Sequence, residues 1–213
     1  MRANVLAFFF VKVAIVYMPL ILPPLPAQAY SVAFRAGANL FFRTIGDSGR
    51  AYFGPNLAGG DHDTAIVVKN LRPKTAVQGR SGVSGAFEVS SRSIGFSATA
   101  FVVALIVATP VPWRRRLLAV LAGVALISVF AGFQMYLHLV DAFSNPDPLR
   151  IYQLGPAGKS LLLNLIKICS RTPVTTYIAP IFVWILVTFR HGDIVRLAPM
   201  AGTATTTQRT SHA

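Results

Sequence analysis

Of the 213 residues, 54% are hydrophobic and only 13% charged, with a net charge of +13. A soluble domain carries about a quarter charged residues, so this deficit argues against an ordinary water-soluble fold and for a membrane protein. The basic residues are dispersed between apolar spans rather than gathered on one face. That argues against a nucleic-acid surface and assigns the excess charge to membrane orientation and anionic lipid headgroups. The single cysteine, Cys169, excludes an internal disulfide framework and any CxxC metal or redox motif.

Residues 4–22 form the first apolar span, interrupted by Lys12, with a proline-rich exit at Pro19, Pro23, Pro24 and Pro26. Segment 1–29 is expected to be a retained transmembrane anchor. Ala27-Gln28-Ala29 has the small-x-small form of a signal-peptidase site, so a cleaved signal is the alternative. Either outcome places 30–94 outside the cytoplasm. There, residues 31–44 set Val32, Phe34, Leu40 and Phe41 around Arg35 and Arg43, the pattern of an amphipathic helix on the bilayer surface. Three β-prone runs follow, at 51–53, 64–69 and 86–90, the last two read as a strand pair. The region has too few large apolar side chains to bury a core alone, so it is expected to pack on the helix ends as a small α+β extracytoplasmic cap.

Segment 95–140 reads as a transmembrane hairpin. Residues 95–113 and 117–140 carry no Lys, Arg, Asp or Glu outside the turn, and each can cross a core of about 30 Å at about 1.5 Å per residue. Trp113, Arg114, Arg115 and Arg116 form a basic turn, which the positive-inside tendency holds in the cytoplasm. Segment 141–171 returns outside, with Pro146 and Pro148 in its loop. Its polar stripe of Ser160, Asn164, Lys167 and Arg171 predicts an interfacial amphipathic helix too short to span. Segment 172–189 is the last span, kinked at Pro180, followed by Arg190, His191 and Arg196 and a polar tail over 190–213 read as disordered. The expectation is an all-α integral membrane protein with four transmembrane helices, an α+β cap and one interfacial amphipathic helix. It sits in the inner (plasma) membrane as a multi-pass protein with both termini cytoplasmic. Residues 30–92 hold eight Lys or Arg against four Asp or Glu, which the weakness of the rule for long loops tolerates.

Polar groups at membrane depth are costly, which makes them functional candidates. Gln134, His138 and Asp141 stand at i, i+4 and i+7 on one helix face. Asp141 can orient the His138 imidazole as a proton acceptor; alternatively all three are solvated at the headgroups or hydrogen-bonded to a neighbouring helix. Lys12 either snorkels outward or pairs with Asp47 or Asp141. Asp61, His62 and Asp63 offer potential ligands in a glycine-flanked loop, but no second histidine cluster accompanies them, and no metal or cofactor is expected. Cys169, beside Lys167, reads as packing or as a reactive thiol.

A strand pair leading into a membrane helix, an arginine-bearing turn and a further helix resembles the exosortase/archaeosortase group of multi-pass membrane transpeptidases. The runs Phe87-Glu88-Val89-Ser90-Ser91-Arg92-Ser93-Ile94-Gly95 and Trp113-Arg114-Arg115-Arg116-Leu117-Leu118 carry the resemblance. It covers roughly residues 64–141. The family places a nucleophilic cysteine at the start of the first helix, where this chain has Ser90 or Ser91, and its Asn-x-x-Arg pattern is missing around 134–138. The resemblance implies Ser90 or Ser91 as nucleophile with Arg92 or His138 assisting. Three functions are therefore weighed: a non-enzymatic accessory or scaffolding component of a cell-envelope system, with membrane lipids and a protein partner; an exosortase-like transpeptidase; and a small proton-coupled transport component using Lys12, His138 and Asp141.

Overall fold

The structure, a computed structural model, describes residues 2–46, 48–56, 62–71, 83–144, 149, 151–170 and 174–188. It is mostly helical, with one small sheet. Helix α1 (Arg2–Ile21) is followed at once by α2 (Pro24–Phe42), bent from it by 71°. The proline-rich exit is thus the start of a helix. Pro23 is its extended N-cap and Pro24 lies in the first turn, where the missing N–H costs nothing.

Strands β1 (Thr44–Ile45), β2 (Gly49–Pro55), β3 (Thr64–Asn70) and β4 (Val83–Val89) form an antiparallel sheet in that order. Gly46, at φ 59°, makes the β1–β2 turn in the left-handed region that other residues avoid. Register sets Phe53 opposite Ile66 and Ile66 opposite Phe87, so large side chains share one face. That face packs with Ala38, Met135, Leu139 and Phe143, which seats the sheet on α2 and the last turns of the fourth helix. Because β1 is only two residues long, Phe53 lies beyond it. Asn39 of α2 takes the place of a strand there, donating to the Phe53 carbonyl and accepting from its N–H, both at 2.9 Å. A side-chain amide carries the same donor and acceptor as a peptide group, so the sheet edge is closed without a further strand.

A π-turn (Arg92–Phe96) runs into α3 (Ser97–Ala108), which is the most enclosed helix, with Val102, Ala104 and Ile106 fully buried. Gly95 leaves room for Tyr30 of α2: a Cβ there would collide with the Tyr30 hydroxyl. Helix α3 packs on α1, on α4 (Trp113–Ala142) and on α6 (Ala179–Thr188). Helix α5 (Pro156–Cys169) and a second π-turn (Val174–Ile178) precede α6. Pro180, just beyond that turn, has no N–H to return to Thr176, a cause of the local irregularity.

Three expectations need correction. Four full-length transmembrane helices are not what forms: among the described residues only α4 is long and apolar enough to cross a membrane, or up to three spans if each bent pair counts as one. The expected span over 95–113 stops at Ala108, because Pro110 and Pro112 end the helix; the run from Arg92 to Ala108 holds 17 residues at most. The expected basic turn is helical, since Trp113 to Arg116 form the first turn of α4, with Pro112 as N-cap. The expectations for Asp47, Asp61, Pro146, Pro148, Arg171 and the 190–213 tail lie outside the described residues.

Candidate functional site

Lys12 apart, the residues proposed for chemistry gather where helices end, at the side of the bundle that carries the sheet. Ser91 is 1% exposed, and both its N–H and its hydroxyl donate to the Asp63 carboxylate, the N–H at 2.7 Å. Asp63 precedes β3 and so reaches the opening of the α3 run from 28 residues away. The first turn of a helix leaves N–H groups unpaired at its positive end, where an acidic side chain is favoured. Asp63 is a cap supplied by another part of the chain. Its own carbonyl accepts from Arg35 at 3.3 Å, and Arg35 also reaches Ser31 on α2. The hydrogen bonds therefore tie α2, the approach to β3 and the start of α3 into one network.

Arg92 points elsewhere. Its guanidinium donates to the Ile21 carbonyl at 2.9 Å, serving the C-terminal end of α1, the negative end of a helix dipole. Ser90 is used within its own turn: its carbonyl accepts from the Ser93 hydroxyl at 3.0 Å and from Ile94 N–H at 3.1 Å, and its hydroxyl accepts from Ser93 N–H at 3.4 Å. His138 contacts the hydroxyl of Ser170, the C-cap of α5, at 3.1 Å. Ser91 is thus held by Asp63 and His138 by Ser170, and the geometry does not join them in a nucleophile–base pair.

Gln134 is buried and donates to the Cys169 carbonyl at 2.9 Å and to the Thr175 hydroxyl at 3.2 Å; Thr175 donates to the same carbonyl at 2.7 Å. The shared face of Gln134 and His138 therefore holds the α5 end and the second π-turn, the neighbouring-helix alternative for these two. Asp141 lies one turn further on, half-buried. Cys169 is a half-buried free thiol whose carbonyl, rather than sulfur, carries these contacts.

Lys12 lies at the opposite end of the bundle. Tyr17 stacks edge-on against Phe101, and Lys12 shares a cavity with Val107, Ala108, Pro110 and Arg116, so α1 and α3 run antiparallel. The Lys12 ammonium sits 4.4 Å from the centre of the Phe8 ring. At this end Arg115 donates to the Thr188 carbonyl at 2.7 Å, and Arg116 donates to the carbonyls of Thr109 and Val111 at 3.1 and 3.3 Å. Two of the three turn arginines thus serve helix C-termini.

Among the described residues no group of three His, Cys, Asp or Glu could hold a metal ion. His62 contributes its carbonyl to Asn56 and Asp63 its side chain to Ser91. Sequence reasoning noted Asp63 only as a possible ligand and missed Asn39 and Ser31. Their partners lie far away in the chain, and no local spacing announces them. Comparison with protein-family models, curated proteins and solved structures finds no match.

Proposed function

We propose that the chain is a non-enzymatic membrane protein of the inner (plasma) membrane, an accessory or scaffolding component of a cell-envelope system. In this reading α4 crosses the bilayer and α1, α3 and α6 lie along it within the hydrocarbon. The arginine end faces the cytoplasm, together with both termini, and the sheet layer faces outward. Large apolar side chains open to the surroundings support the membrane placement: Phe8 and Ile15 on α1, Leu118 and Val129 on α4, Phe182 and Leu186 on α6. A soluble monomer rarely leaves so wide an apolar belt uncovered. Only 28% of the most apolar 18-residue window of α4 is buried within the protein, which suits lipid contact.

The observation that carries the non-enzymatic reading is the capture of Ser91 by Asp63. A nucleophile must reach a substrate, whereas this hydroxyl is enclosed and already spent on a carboxylate. Ser90 is the less enclosed serine, so a degenerate exosortase-like transpeptidase would have to use it. The test is labelling of the full chain in membranes with a fluorophosphonate serine probe. The expected result is no signal above that of the Ser90→Ala/Ser91→Ala variant. Labelling lost on Ser90→Ala would overturn the reading in favour of the transpeptidase.

A further inference from the structure

The face of the sheet turned away from the helices carries a second cluster, unrelated to the caps. Alternation along β2 and β3 points Arg50, Tyr52, Val67 and Lys69 outward while Ala51, Phe53, Ile66 and Val68 point in. Register places Arg50 directly opposite Lys69, and Thr44, which follows Arg43, opposite Arg50. Arg43, Arg50 and Lys69 line one concavity of about 270 Å³ together with Ala51, Tyr52 and Val67.

Like charges directly opposite on neighbouring strands destabilise a sheet. Arg43 has a structural reason for its place, since it ends α2, where a cation meets free carbonyls. Nothing among the described residues gives Arg50 or Lys69 such a reason. Among the described residues no carboxylate pairs with any of the three. On the same face Glu88 stands opposite Ala65, four residues along β3 from Lys69, or about 13 Å at strand spacing. The described residues thus gather three cations at one concavity beside Tyr52, with Arg50 and Lys69 opposite each other on β2 and β3.

We infer that this concavity binds a phosphoryl group presented from the aqueous phase, as a phosphate monoester or diphosphate. Three cations exceed what a single carboxylate neutralises and suit a multiply charged oxyanion. Two guanidinium forks match phosphate oxygens in pairs, and the ammonium adds a point charge. The volume admits the phosphoryl group with part of what it is attached to, against Tyr52. The site names a ligand class for the scaffolding reading and rests on it, but the two fail separately: the serine probe decides that reading, and the titration below decides this site.

The test is calorimetric titration of the full chain, in nonionic detergent at low ionic strength, with sodium pyrophosphate. Saturable binding that weakens with added salt is expected. Arg50→Gln and Lys69→Gln should each weaken it about tenfold or more, while Lys159→Gln, an exposed cation on α5, should leave it unchanged. Lys69→Thr should also raise the melting temperature of the ligand-free protein at low salt by relieving the repulsion with Arg50, while removing the stabilisation that pyrophosphate gives. Absence of binding would overturn the site, as would equal losses in Lys159→Gln, which would mean unspecific attraction. A third arm uses nanodiscs with and without anionic lipid. If Arg50→Gln alters association with anionic lipid but not pyrophosphate binding, the cluster is a headgroup contact and the inference fails.

Discussion

The two ends of the helix bundle solve the same problem with different chemistry. At one end Arg115 and Arg116 reach the carbonyls that close α3 and α6; at the other, Asp63 meets the N–H and hydroxyl of Ser91 where the α3 run opens, and Gln134 meets the carbonyl that closes α5. Both obey one rule: the unpaired groups of a helix terminus need partners, most of all where water is scarce. The arginine end uses long cationic side chains that remain partly open to the surroundings. The sheet end has one such arginine, Arg92 at the end of α1, and adds short side chains that function only if the cap is folded around them. Polar residues that look catalytic in such a chain are first to be examined as helix caps.

The sheet end should therefore be the more sensitive to substitution. Phe53→Ala, at the centre of the contact between the sheet and α2, should cost about 3–5 kcal/mol in denaturant unfolding of the detergent-solubilised protein. A loss under about 1 kcal/mol would mean the sheet is not docked as described. Gly95→Ala should cost about 1–3 kcal/mol by forcing Tyr30 away from the π-turn, and Tyr30→Phe should recover part of that loss by removing the hydroxyl that collides. No recovery would place the strain elsewhere. At the arginine end, Arg115→Gln should cost only about 0.5–1.5 kcal/mol, because Gln keeps a donor and the site remains partly open. A larger loss there than at Phe53 would reverse the comparison.

This contrast also explains what was legible in the sequence. The apolar runs, the arginine triplet and the strand segments 64–69 and 86–90 announce themselves locally, and the helices and strands at those places follow. Lengths were harder to read. Residues 95–113 carry no charge, yet Pro110 and Pro112 remove backbone donors and stop α3 at Ala108, so hydropathy overstates the helix. Pro23 and Pro24 misled in the other direction: a proline cluster that looks like an exit is tolerated at a helix start, and α2 begins there. The site was legible only as an inventory. Gln134 and His138 stood out as polar residues on one face, but that face is occupied by the end of α5. Ser91 was conspicuous through a resemblance, whereas its partner Asp63 lies 28 residues back across an entire strand pair. Pairings of that kind are set by tertiary register, which no local spacing encodes.

Asp63 and Ser91 form an architectural cap. The most direct measurement is a double-mutant cycle of Asp63→Ala and Ser91→Ala, read by denaturant unfolding of the full chain in detergent. A cap predicts that each single change destabilises and that the pair couples by about 1–3 kcal/mol, since removing one partner strands the other in a buried place. Additive effects, with Ser91→Ala leaving stability unchanged, would contradict the account and return Ser91 to the list of residues kept for chemistry.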